Sequence, residues 1–266
     1  MKSPLRYPGG KSRAVKHILP HFPKDIKDLC SPFLGGGSIE LALAERGIQV
    51  YGYDIFEPLV WFWHTLLEDP NVLADEADGL RKSHADYKNA RGLLKEDFFN
   101  IRENLKTQTT CSIQNAAKFY ALNRSSFSGA TLSGGWSKRA SYARFTDSSI
   151  ERIRKFKEPR LHVATKDFKE SIAAHPNAFL YLDPPYLLAK DKATLYGTNG
   201  NAHKGFDHLG LANVLKERDD WILSYNNCPE ILKLYEKYNI LYPNWKYGMS
   251  SDKTSKEVLV INKGEL

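Results

Sequence analysis

Apolar positions change period repeatedly over the first sixty residues. Asp28 to Phe33 is a short apolar run that reads as a buried strand. Ser38 to Arg46 then recurs at helical spacing, and Gly47 is placed to end that helix in a left-handed conformation. Ile48 to Tyr53 is strand-like again and stops at Asp54. Between the first strand and the helix stand Gly35, Gly36 and Gly37. Strand, glycine turn, helix, strand and acid form the first half of a dinucleotide-type α/β unit.

Farther along, Glu57 to Lys118 is mostly helical in pattern, with polar breaks near Asp69-Pro70 and Thr107 to Thr110. Asn123 to Phe145 has no helical period; it is rich in Ser, Gly, Arg and aromatics and reads as a loop or hairpin. Strand-like runs return at Leu161 to Thr165, Ala178 to Leu182, Trp221 to Tyr225, Ile240 to Tyr242 and Glu257 to Asn262. Helical stretches at Phe168 to Ala174, Leu209 to Arg218 and Pro229 to Tyr238 separate them. The pattern predicts an α/β fold with a doubly wound sheet. Residues 1–57 and 161–266 would form that domain, and 58–160 a mainly helical insert carrying a hairpin or loop.

Composition narrows the class. Hydrophobic residues make up 42% and aromatics 12%, enough for a sizeable core. The formal charge is +7, and from Leu122 to Arg160 nine Lys/Arg face three Asp/Glu. Phosphates would be neutralised by such a concentration, although a solvated helix face beside a basic loop explains the charge equally well. Cys30, Cys111 and Cys228 are isolated, which favours a reducing compartment and argues against zinc and disulfides. The scattered histidines, His203 and His208 included, propose no metal. The start lacks a signal peptide's apolar core, and no run approaches a membrane span. The expectation is a soluble, intracellular protein.

Three motifs carry chemistry. Asp183-Pro184-Pro185-Tyr186 follows the apolar run from Ala178, at the end of a strand, where open α/β sheets bind ligands. Its prolines stiffen the backbone and remove two N–H donors, which leaves carbonyls beside the Asp183 carboxylate. Two fixed acceptors suit an exocyclic amine; an ordinary β-turn is the plain alternative. Phe33-Leu34-Gly35-Gly36-Gly37-Ser38 allows close backbone approach to a ligand, and Asp54 can accept from ribose hydroxyls. The spacing is not GxGxxG, so a dinucleotide is not indicated. Tyr7-Pro8-Gly9-Gly10-Lys11-Ser12 ends like a phosphate loop but lacks the first glycine and a preceding strand, which rejects ATP there. In the insert, Asn123, Arg124, Phe127, Ser128, Lys138, Arg139 and Arg144 interleave base and aromatic in the manner of DNA contacts.

In this order and spacing the chain resembles the Dam-like (class alpha, D12 type) N6-adenine DNA methyltransferases, from Tyr7 to about Lys263. The resemblance implies a Rossmann-like S-adenosylmethionine-dependent methyltransferase fold with a target-recognition insert. It implies no metal, with S-adenosylmethionine held by Tyr7, Lys11, Phe33, Gly35, Gly37, Ser38, Asp54, Asp167, Phe168 and Asp183. Asp183 to Tyr186 would then be catalytic, and Lys256-Glu257 a strand start. Double-stranded DNA is the implied partner, with a cognate restriction endonuclease as a second and a monomer or weak dimer as the state. Where members carry NRxxFNG, this chain has Ser128 in place of the asparagine, and Phe127 is the candidate wedge. Two rivals stand beside this reading. N4-cytosine enzymes more often have Ser at the position of Asp183, and an idle DNA-binding module would not need both Asp54 and Asp183.

Overall fold

The computed structural model describes residues 1–84, 87, 90–187, 205–243 and 257–262. His203, Lys256 and Lys263 lie outside them. Helix α1 (Val15–Ile18) leads into strand β1 (Asp28–Ser31), helix α2 (Ser38–Ala44) and strand β2 (Gln49–Asp54). Helices α3 (Glu57–Glu68) and α4 (Pro70–Gly79) follow, then a two-stranded ladder of β3 (Lys82–Ser83) with β4 (Arg91–Gly92). Helices α5 (Lys95–Lys106), α6 (Ile113–Ser125), α7 (Lys138–Arg144) and α8 (Asp147–Arg154) complete the central region. The chain then alternates through β5 (Leu161–Thr165), α9 (Phe168–Ala174), β6 (Phe179–Leu182), α10 (His208–Lys216), β7 (Trp221–Asn226), α11 (Pro229–Leu234), β8 (Asn239–Leu241) and β9 (Glu257–Asn262).

Among the described residues the main sheet has the order β5-β2-β1-β6-β7-β9-β8. Every pairing is parallel except those of β9, which runs antiparallel to β7 and β8. This is the doubly wound mixed sheet that the sequence predicts. Strand order reverses between β1 and β6, so a crevice opens there at the strands' carboxyl ends. The strands are apolar at successive positions because both faces are covered. Leu29, Phe179, Tyr181 and Ile222 face one core, shared with α2, α3 and α6; Cys30, Leu180, Leu182 and Leu223 face the other, shared with α9, α10 and α11.

Helix α3 explains how the central region is attached. Its Trp61, Phe62, Trp63 and Leu66 are all buried, since one side lies on β2 and β5 and the other on α6. Phe62 stacks flat on Tyr120 of α6, centroids 5.5 Å apart. Asp69, before Pro70, accepts from the Asn71 and Val72 N–H groups and starts α4 in a new direction. Around α6 pack α4, α5 and α7.

Two expectations need correction. Residues 123–145 are not an aperiodic loop or hairpin: Asn123 to Ser125 end α6, and Lys138 to Arg144 form α7, capped by the Ser137 side chain on the Ala140 N–H. Seven residues are too few for a helical period to show. Between them lie two 3-10 turns and a single bridge, Ser126 to Trp136. The first strand also ends at Ser31, before Pro32, which has no N–H to continue a ladder.

Phe62→Ala is expected to cost about 3–5 kcal/mol, the usual range for emptying an aromatic site in a core. A shift in the urea midpoint measures it, and a change below about 1 kcal/mol would mean that α3 and α6 are not held through this contact.

Candidate active site

The loops after β1 and β6 face each other across the switch point. After β1 the chain turns through Gly35 (φ +48°) and Gly37 (φ +63°), conformations that disfavour side chains. A Cβ on Gly36 would lie 2.8 Å from the Tyr7 Cβ, so the N-terminal segment can rest directly on the glycine turn. Leu34 N–H donates to the Tyr53 carbonyl and the Trp63 indole N–H donates to the Gly35 carbonyl, fixing the turn to β2 and α3. Ser38 opens α2.

Asp54, at the end of β2, organises the same turn. One carboxylate oxygen accepts from Gly35 N–H at 3.1 Å and the other from Phe56 N–H at 3.0 Å. The carboxylate keeps acceptor capacity for a further donor. Burial pushes the Asp54 carboxyl up to about 6, against the pull of these N–H groups. Beside it, Phe33, Phe168 and Phe206 form a triangle of rings with centroids 5.6 to 5.9 Å apart. Asp167 is exposed next to them and caps α9 by accepting from Lys169 N–H. Phe206 is missing from the sequence expectation, because it precedes its helix with no motif to flag it.

After β6, Asp183 meets Lys11. The ammonium donates to both carboxylate oxygens at 2.7 Å, to the Tyr186 hydroxyl at 2.9 Å and to the Gly9 carbonyl at 3.2 Å. Tyr186 donates to Asp183 Oδ1 at 3.2 Å and also hydrogen-bonds Glu257 Oε1. Lys11 is only 4% exposed. Burial raises the Asp183 carboxyl above its ordinary value; Lys11 opposes this and the Glu257 charge adds to it. Glu40, buried on α2 and bonded to Ser31 Oγ at 2.6 Å, is pushed up to about 7 by the same desolvation. The exit of the loop is clamped by Asn226 of β7, whose amide accepts from Leu187 N–H and donates to its carbonyl. The Tyr186 ring stacks on Tyr225, centroids 5.9 Å apart. The site thus offers a half-buried carboxylate beside two prolines that have no N–H to compete for it, suited to holding an amine.

The insert residues divide in two. Phe127 is 70% exposed at the tip of the turn after α6. Ser128, at φ +55°, holds the left-handed conformation that asparagine tolerates better than serine. Lys138 and Arg139 are exposed and Arg144 is half-buried. Asn123 and Arg124, expected among the DNA contacts, are buried instead. Asn123 exchanges hydrogen bonds with the backbone of Arg6, accepting from its N–H at 3.0 Å and donating to its carbonyl at 2.7 Å. Arg124 donates to the Arg144 carbonyl at 2.9 Å and reaches the Pro4 carbonyl. Asn123 thereby pins the N-terminal segment and Arg124 chiefly the end of α7, because a buried amide or guanidinium must find partners. Gly129 lets that segment pass: a Cβ there would lie 1.9 Å from the Arg6 carbonyl oxygen. Burial, with Arg144 and Arg124 nearby, lowers the Arg6 guanidinium to about 10. Among the described residues no group of three or more His, Cys, Asp or Glu could hold a metal ion, and no helix is long and apolar enough to cross a membrane.

Comparison with known proteins agrees with this geometry. The model of a family described as D12 class N6 adenine-specific DNA methyltransferase matches residues 7–249. The chain is 23% identical over 262 residues to the type II methyltransferase M.MjaIII of Methanocaldococcus jannaschii, covering 89% of this chain and 88% of that one. It is 21% identical over 282 residues to the type II methyltransferase M1.LlaDCHI of Lactococcus lactis subsp. cremoris, covering 97% and 94%.

Asn123→Ala removes two hydrogen bonds to the Arg6 backbone and is expected to cost about 1–3 kcal/mol, with a lower melting temperature. An unchanged melting temperature would exclude Asn123 from holding the N-terminal segment.

Proposed function

Because the chain belongs to the D12 class of N6 adenine-specific DNA methyltransferases, we propose that it methylates the N6 of one adenine, turned out of the duplex, within a specific DNA sequence. The observation that carries this is Asp183-Pro184-Pro185-Tyr186 at the end of β6, facing the glycine turn of β1 across the switch point. Membership of an adenine-specific family argues against N4-cytosine as the target. The intact acids at 54 and 183 argue against an idle binding module.

S-adenosylmethionine is the proposed donor; when bound, it supplies a methyl group on a cationic sulfur. The residues present fit it. Asp54 has lone pairs to accept from ribose hydroxyls, and the glycine turn carries no side chain where the backbone must approach closely. Phe33 and Phe168 give an apolar wall for its adenine, with Asp167 as acceptor for that ring's amine. Tyr7, Lys11, Gly35, Gly37 and Ser38 border the same crevice.

The N6 of adenine is a weak nucleophile because its lone pair is delocalised into the ring. Asp183 and the Pro184 carbonyl each accept one N6 hydrogen, which directs the lone pair out of that conjugation. As the N6–methyl bond forms and the sulfur–methyl bond breaks, its electron pair returning to a sulfur that becomes neutral, positive charge arrives on N6 and the Asp183 carboxylate stabilises it. One N6 proton then passes to Asp183 and on to solvent, so charge balances. No covalent enzyme intermediate is required; positioning supplies much of the rate. The target atom is unreachable inside a duplex, so the base must be extruded. Tyr186 is the proposed stacking partner, and Pro185 stiffens the loop between them.

Residues 58–160 are the proposed target-recognition insert, and 1–57 with 161–266 the catalytic domain. Phe127 is the candidate wedge, with Ser128 beside it, and Lys138, Arg139 and Arg144 hold phosphates or read bases. Asn123 and Arg124 act from inside, by positioning. The protein works where DNA is, as a monomer or weak dimer. The type II names of the two relatives support a partner endonuclease for the same sequence.

Expression in a methylation-free host, followed by sequencing with modification detection, is expected to show N6-methyladenine at one recurring sequence. Methylcytosine, or no modification, would refute the assignment. Asp183→Ala is expected to lower kcat by about 10²–10³-fold or more while DNA affinity is kept. Cofactor affinity is expected to fall as pH drops through about 6, where Asp54 takes up a proton and loses acceptor capacity. Asp54→Asn is expected to bind weakly with no such pH step, which a calorimetric pH series reads directly.

A further inference from the structure

Glu257 lies beyond the residues matched by the family model, yet its side chain is inside the site. It opens β9, pairs in register with Asn226 of β7, and is 6% exposed. Its Oε1 hydrogen-bonds the Tyr186 hydroxyl and lies 3.5 Å from the Lys11 ammonium. Lys11 and Tyr186 therefore each stand between two acids, Asp183 and Glu257.

This arrangement bears on a difficulty in the mechanism. Lys11 bonds both Asp183 oxygens, at equal distances, and so sits across the carboxylate edge that the N6 amine needs. An ammonium there also opposes the positive charge that develops on N6. Lys11 has to withdraw from Asp183 when the amine arrives, and a buried cation withdraws only toward another anion. After Asp183, Glu257 is the anion paired with Lys11 among the described residues, at 3.5 Å: a movement of roughly 0.7 Å would bring the ammonium to ordinary charge-assisted hydrogen-bond length. The Tyr186 hydroxyl has one proton and two acids within reach, so it can turn to Asp183 as Lys11 leaves.

We propose that Glu257 is a positioning residue that receives the Lys11 ammonium from Asp183 and so opens Asp183 to the target amine. The inference rests on Asp183 as the amine acceptor and adds what must happen before it can accept. Glu257 touches neither base nor cofactor in this role; it acts through Lys11 and Tyr186.

The test uses binding as well as turnover. Two duplexes carry the mapped recognition sequence, one with adenine at the target and one with purine, which lacks the N6 amine. The wild-type protein is expected to prefer adenine. Glu257→Gln keeps the size but not the charge, and it is expected to lower that preference about 10-fold or more, the scale of a buried charge-assisted hydrogen bond. Its affinity for the purine duplex should stay unchanged, and kcat should fall in step with the lost preference. The proposal is overturned if Glu257→Gln keeps the wild-type preference or weakens both duplexes equally. A wild-type enzyme that methylates adenine yet shows no preference overturns the role of Asp183 as well.

Discussion

The ion pair between Lys11 and Asp183 is the contact on which the rest of the site depends. It joins the N-terminal segment to the end of β6 across 172 residues of sequence, at 2.7 Å and largely out of water. A buried pair of this kind is not a cheap source of stability, since desolvation offsets much of the attraction. What it confers is position. Losing the lysine would leave Asp183 in a setting that favours its neutral form, because burial and Glu257 both push in that direction. Keeping Lys11 there in turn requires that residues 4–10 follow one path, and most of the unusual features nearby serve that path.

The path is held from below and from the side. Below it, the glycine turn gives room for Tyr7, and a Cβ on Gly35 or Gly36 would strike that ring or its Cβ. From the side, α6 presents Asn123 and Arg124 to backbone groups of Arg6 and Pro4, and Gly129 clears the Arg6 carbonyl. Those contacts come from the same helix and turn that end in exposed Phe127. The segment that carries Lys11 and the tip that faces outward thus share one support, α6, through Asn123 and the backbone of Arg6.

The layout of the sheet was readable because its central strands carry apolar side chains for two opposite cores, and few other patterns do so. Gly35, Gly37 and Asp54 stood out because a left-handed turn and an acid at a strand's end leave local marks in the sequence, and Asp183 to Tyr186 because an acid and two prolines after an apolar strand do the same. Contacts between distant segments were not. Glu257 looks like any strand start, and Asn226 like any strand end, until the antiparallel pairing of β7 and β9 places them side by side. Asn123 and Arg124 were misplaced because sequence shows that a guanidinium is present but not whether water, phosphate or a carbonyl receives it. Both side chains turn inward, to backbone groups, rather than outward.

That inward direction changes how Ser128 should be understood. In a turn whose asparagine contacted DNA, replacing it with serine would mean a lost base contact. Here the buried pair before it is intact and the turn still closes, with Ser128 itself in the left-handed region at φ +55°. The backbone conformation therefore persists at some local cost, since serine lacks asparagine's tolerance for it. A conformation kept against residue preference implies that its neighbours enforce it, and those neighbours are the Arg6 carbonyl at Gly129 and the Ser126 to Trp136 bridge. The turn is thus determined by the N-terminal segment as much as the segment is by the turn.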